Sequence, residues 1–135
     1  NKTLELQQSN ELFAVTSTAA SGTINVDTLS GAAYYYTANA TGNWTFNFRG
    51  TSTQALSTVL DTGRSVTVAF MITNGSPAYY PTAATIDSSA ATVKWSGGTA
   101  PSSGNTNAID LYTYTIIKTA ATPTYTVLAA QTKFA

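Results

Sequence analysis

Cysteine and histidine are both absent from the chain. No disulfide can staple it, no Cys- or His-based metal centre can form, and a Ser-His-Asp triad cannot be assembled. The compartment's redox state leaves no trace in such a sequence. Charge is scarce too. Six basic and six acidic residues make up 9% of the chain and cancel to zero, where ordinary soluble domains carry about 25%. That excludes the basic footprint expected for nucleic acid and the polybasic segment expected at a membrane surface. Apolar runs fall well short of the roughly 18 residues that suggest a membrane span. Asn1 to Asn10 is polar and has no apolar h-region of a signal peptide. Phosphate loops of the G-x-x-x-x-G-K-[ST] or G-x-G-x-x-G kind are missing.

What fills the chain is Thr, Ser, Ala and Asn, with eight tyrosines, in 135 residues. That length suits one domain with one core. The clearest signal is Arg64 to Thr73, RSVTVAFMIT, where Val66, Val68, Phe70 and Ile72 fall at every second position. A period of two puts them on one face of a strand, and we read this as the central strand. Asn43 to Arg49 alternates as cleanly, with Trp44, Phe46 and Phe48 against Thr45, Asn47 and Arg49. Ala32 to Ala38, with Tyr34, Tyr35 and Tyr36, is strongly β-prone. The Asn/Gly turn between these two segments predicts a hairpin.

Further short strands are expected at Glu11–Thr16, Gly22–Leu29, Ala84–Asp87, Thr92–Trp95 and Ala108–Thr119, and in the segment that begins at Pro123. Thr51 to Asp61 reads as a short helix, since Leu56, Val59 and Leu60 follow i, i+3, i+4 spacing. Ser52 or Thr53 would be its N-cap and Gly63 its stop. Gly97 to Asn107 is a loop rich in Gly, Ser, Pro and Asn. The expectation is an all-β fold, a β-sandwich or jelly roll of nine or ten short strands with at most one short helix. Residues 1–20 would form an N-terminal arm or first strands, and residues 21–135 a single sandwich domain.

Chemistry is thinly signalled. Val59-Leu60-Asp61-Thr62-Gly63 resembles the active-site loop of aspartic proteases, in which two carboxylates share a proton across a dimer axis. Yet Ile116-Ile117 is followed by Lys118 where that family needs Gly, and Arg64 stands where a small residue is usual. A dimeric protease is therefore a remote alternative. Glu5, Glu11, Asp27, Asp87 and Asp110 are isolated acids with no pairing pattern. No catalytic residue, cofactor or metal ligand is expected, and the chain is read as a non-enzyme. Tyr34, Tyr36, Tyr79, Tyr80, Tyr112 and Tyr114 could offer flat rings to a sugar or a subunit, although β-propensity alone also accounts for them. Trp44 and Trp95 alternate with polar neighbours and are expected in the core.

Four stretches carry a resemblance: TANATGNWTFNFRG (Thr37–Gly50), GRSVTVAFMITNGSPAYY (Gly63–Tyr80), VKWSGGTAPSSGNTNAIDLYTYTIIKT (Val93–Thr119) and YTVLAAQTKF (Tyr125–Phe134). Together they are similar to a recurrent structural domain in virion proteins of marine tailed phages, cyanophages among them. The similarity spans about Ser21 to Ala135 and leaves Asn1 to Ala20 outside. It implies a virion structural protein, a capsid decoration or fibre component on the particle surface, and it carries no catalytic residues. The expected partners are copies of itself, as a trimer, with major capsid or tail proteins. Nucleic acid and membranes are not expected partners. Leu4, Leu6, Tyr34, Tyr36, Tyr79 and Tyr80 are the candidate interface or ligand residues. Asn1 to Thr18, with its alternating leucines, is expected to add a strand to a neighbour's exposed edge. The alternative is a tail-fibre adhesin module that binds surface glycans through Tyr79, Tyr80 and the Gly97–Asn107 loop.

Overall fold

A computed structural model describes residues 3–135 of the chain. Asn1 and Lys2, the start of the expected arm, lie outside the described residues. Among the described residues ten strands form two sheets, joined by one helical turn and one 3-10 turn (Ser96–Gly98) along the chain. In chain order the strands are β1 (Phe13–Thr16), β2 (Gly22–Asp27), β3 (Ala33–Tyr36), β4 (Trp44–Arg49), β5 (Ser65–Thr73), β6 (Pro81–Ile86), β7 (Ser89–Ala90), β8 (Val93–Trp95), β9 (Ile109–Ala120) and β10 (Thr124–Phe134). The helix, α1, is Leu56–Val59. The six-stranded sheet runs β1-β3-β5-β9-β10-β8 and the four-stranded sheet β2-β4-β6-β7. This is the all-β sandwich that the two-residue periodicity implies.

The connectivity is less ordinary. From β1 to β6 the chain alternates between the sheets, and each strand lies parallel to the strand two before it. The first half is thus a coil of three laps, each made of one strand per sheet. Phe13 pairs with Ala33 and Ala33 with Ala69; Gly22 pairs with Trp44 and Trp44 with Pro81. The predicted hairpin of Ala32–Ala38 with Asn43–Arg49 is therefore wrong: β3 and β4 lie in different sheets. The Asn/Gly turn carries the chain across the sandwich, and the Ala40 N–H donates to the Thr73 carbonyl of the next lap at 2.9 Å. β9 pairs antiparallel on both sides, with β10 in a long hairpin and with β5, while β10 carries β8 parallel on its far side.

The core lies between the sheets. Val68, Phe70 and Ile72 of β5 are buried, as their spacing predicts, and face Trp44, Phe46 and Phe48 of β4. Phe46 stacks on Phe70 with ring centroids 4.0 Å apart, and Tyr114 meets both edge-on at 5.4 and 6.2 Å. Trp44 is buried and Trp95 packs against the core from the sheet edge. Burying rings of this size on both faces is the main stabilising contribution here, at about 1.5–3 kcal/mol for each large apolar side chain.

The helix falls inside the segment its spacing marks, but its cap is not Ser52 or Thr53. Ala55 stands at the N-cap, and the Asp87 carboxylate, from the β6–β7 turn, accepts the N–H groups of Leu56 and Ser57 at 2.6 and 3.0 Å. An anion across the first turn satisfies donors that would otherwise be orphaned. Lys118, from β9, is buried and donates to the Ser57 carbonyl at 2.6 Å. One turn of helix is thus held by two charged groups from distant segments, Asp87 on its first N–H groups and Lys118 on the Ser57 carbonyl.

Candidate docking surface

The two outer faces of the sandwich differ in chemistry. On the four-stranded sheet the outward rows are polar and bonded to each other. The Asn47 amide donates to Asn25 Oδ1 at 2.8 Å, and Thr85 donates to Asn47 Oδ1 at 2.7 Å. Beside this row Arg49 pairs with Asp27 at 2.5 Å. Parallel in-register strands place like residues side by side, so the amides form a ladder along the coil. These groups satisfy one another and hold the laps in register.

The outer face of the six-stranded sheet is different. One row reads Val15, Tyr35, Met71, Leu111 and Thr132 across five strands. The next reads Phe13, Ala33, Ala69, Thr113 and Ala130. A third reads Thr67, Thr115, Leu128 and Lys94. Among the strand residues of these rows Lys94, on the β8 edge, is the one charged side chain. Val15 is 64% exposed, Leu128 45% and Phe13 41%, so part of the apolar set has no cover. A face of Thr, Ala and large apolar residues with a single charge at its edge loses little on being dried, because few strongly hydrated groups must give up water.

Continuous with this face is the segment before β1. Residues 3–12 are exposed and contain no strand. Leu4, Leu6 and Leu12 are 79%, 64% and 83% exposed. β1 forms one open edge of the six-stranded sheet, and β2 one edge of the four-stranded sheet. The first lap therefore presents its backbone edges and the apolar side chains of β1 to solvent, while Ile24 and Val26 of β2 are buried. Edges left bare in this way template pairing with another chain.

The sequence-predicted tyrosines divide. Tyr34 and Tyr36 point inward: Tyr34 stacks on Phe70 at 5.4 Å and donates to the Gly31 carbonyl at 3.2 Å, and both residues pack against the core. Burial raises both phenols above the ordinary tyrosine value. It is Tyr35, not singled out by the sequence, that faces outward beside Met71. Tyr112 and Tyr114 are buried and offer nothing to a ligand. Tyr79 packs on the core, fixed by the Asn74 side chain, which accepts its N–H at 2.9 Å and donates to its carbonyl at 3.1 Å. Tyr80 instead lines a groove of about 460 Å³ with Pro81, Val93, Trp95 and Pro101. The structure thus leaves Leu4 and Leu6 exposed on the arm, and places Tyr80 in a groove while Tyr34 and Tyr36 pack on the core.

Two buried charged groups escaped the sequence reading. Asp110 is fully buried and accepts from Asn74 Nδ2 at 2.9 Å, the Asn105 N–H at 2.8 Å and Gln131 Nε2 at 2.9 Å. Lys118 is the other. Both lie on the inward parity of β9 with Tyr112, Tyr114 and Ile116, a signal open to detection in the alternation. Asp61, in contrast, stands in an exposed turn between α1 and β5, where the Gly63 N–H donates to the Lys118 carbonyl at 2.8 Å. Among the described residues no group of three or more His, Cys, Asp or Glu is placed to hold a metal ion. Comparison of the chain with family models, with curated proteins and with solved structures finds no match.

Proposed function

We propose that this chain is a structural module of a phage-type particle, a capsid decoration or fibre component that associates with copies of itself. The observation that carries the reading is the outer face of the six-stranded sheet, whose paired rows hold Lys94 at the β8 edge as their one charge, continuous with the bare edge of β1 and the exposed Leu12, Phe13 and Val15. An apolar patch of this kind on a chain with zero net charge favours association, since neither hydration nor like-charge repulsion opposes contact. The resemblance of Ser21–Ala135 to virion domains supplies the setting, and a trimer supplies the expected stoichiometry. In this reading the residues bind and none reacts.

A glycan-binding adhesin has thinner support. Tyr80 and Trp95 share a groove, but Tyr79 is committed to the core. Sedimentation of the full chain tests self-association, with a defined oligomer expected. A chain that stays monomeric at millimolar concentration, and that an image of the native particle fails to place on its surface, would sink the proposal.

A further inference from the structure

The six-stranded sheet has two open edges, β1 and β8, and the arm leads into β1. Resting on the self-association proposed above, we infer that residues 3–8 of one copy add a strand to the β8 edge of a second copy. The contact would be head to tail.

Three observations converge on that seat. The first is shape. Between the β8 edge of one sheet and the start of β6 in the other lies the groove of about 460 Å³ lined by Tyr80, Pro81, Ala91, Val93, Trp95 and Pro101. β8 is paired on one side by β10 and has no strand on the other. β7 pairs with β6 at Thr85 and Ile86 alone, so it does not close the slot beside Pro81. A strand entering here gains backbone bonds along β8 and an apolar lining for every second side chain.

The second is pattern. On β8, Val93 and Trp95 turn toward the core and Lys94 turns outward. On the arm, Leu4 and Leu6 flank Glu5. A strand laid beside β8 with both leucines over the groove puts Glu5 on the outer face beside Lys94, an acid opposite a base. Shifting the arm by one residue would bury Glu5 and expose both leucines, so the register is set by the chemistry.

The third is reach. The vacant position beyond β8 lies six strand spacings from β1, about 29 Å along the sheet. Leu6 to Phe13 spans at most about 25 Å fully extended. The arm cannot fill the slot of its own chain, which leaves a second copy as donor. Because the contact joins two different edges, it propagates from copy to copy and closes into a ring, or runs on as a filament if the rotation fails to close.

The test uses the absence of native cysteine. Full-length Glu5→Cys chain is mixed with full-length Lys94→Cys chain under mild oxidation. A covalent dimer of the two is expected to form well ahead of any dimer between Glu5→Cys and a Thr62→Cys control, whose site lies in an exposed turn. In parallel, Leu4→Glu and Leu6→Glu each weaken association by about 10- to 100-fold while leaving the melting curve unchanged. Glu5→Lys weakens it too, and Glu5→Lys with Lys94→Glu restores it. Cross-linking no faster than the control, together with arm variants that associate like the parent chain, overturns the inference. If the parent chain still associates in that case, the proposed function survives with a different contact. If the parent chain is monomeric throughout, both fall.

Discussion

Replacing Asp110 is the sharpest test of how the far end of the sandwich is held together. Its carboxylate binds three donors from three segments: Asn74 just after β5, Asn105 in the loop before β9, and Gln131 on β10. These bonds are not equal when the acceptor is removed. Asn74 Nδ2 keeps the Tyr79 carbonyl, and Gln131 Nε2 keeps the Ser103 carbonyl and the Tyr112 hydroxyl. The Asn105 N–H has no second acceptor among the described contacts. Asp110→Ala therefore orphans one part-buried donor fully and two others in part, at about 1–3 kcal/mol for a full orphan. A small cavity adds to this, and relief from burying a charge subtracts. The expected net loss is about 2–4 kcal/mol. For a domain of this size that lowers the melting temperature by roughly 8–16 °C. Asp110→Asn keeps the volume but turns an amide N–H toward a donor, and should cost about half as much. Urea titration gives the free energy, and limited proteolysis within residues 97–107 gives the local effect. If Asp110→Asn melts with the parent chain and the loop is cut no faster, the reasoning about this hub is wrong.

Other outcomes follow from the same geometry. Phe70→Ala removes the ring between Phe46, Tyr34 and Tyr114 and should cost about 3–5 kcal/mol by denaturant titration. Asn47→Ala breaks the amide ladder at its centre, where Asn47 binds Asn25, Thr85 and the Ser88 N–H; a loss of about 1–2 kcal/mol is expected. Met71→Lys, in the middle of the outward row, should leave the melting curve nearly in place but reduce the sedimenting mass, because one charge must then be desolvated at the contact. Burial raises the phenols of Tyr112 and Tyr114 well above the ordinary value of 10.0. The unfolded chain then loses protons first, so stability holds below pH 10 and falls above it by up to about 1.4 kcal/mol per pH unit for each tyrosine. Melts across the alkaline range should show this slope, and Tyr114→Phe should flatten it.

Strand positions were legible because alternation is a local property. Val68, Phe70 and Ile72 in β5, and Trp44, Phe46 and Phe48 in β4, declare an inward face without reference to any partner. Pairing was not legible, because a turn's composition sets how the chain bends and says nothing of which sheet receives it. Asn39–Asn43 has the residues of a hairpin turn yet crosses the sandwich. The tyrosine run shows the same limit. Three adjacent tyrosines must split between faces, and only the register of β3 against β5 decides that Tyr35 is the outward one. Asp110 and Lys118 share the readable inward parity of β9, but charge at the ends of an inward row reads as solvent-facing until partners from distant segments are known. Of the candidate surface, the exposed Leu4 and Leu6 were visible in the arm, whereas the row from Val15 to Thr132 exists only once five strands are laid side by side.

The coil also bears on how such a chain can change length. In its first half each circuit of the sandwich leans on the circuit before it, so an extra circuit, or the loss of the outermost one, alters a single junction. The stretch with α1 illustrates this latitude: residues 51–63 lengthen the link from the second circuit to the third, yet Ala33 still meets Ala69 and Phe46 still meets Ala84. Growth is open on that side and closed on the other, where the long hairpin of β9 and β10 ends the winding.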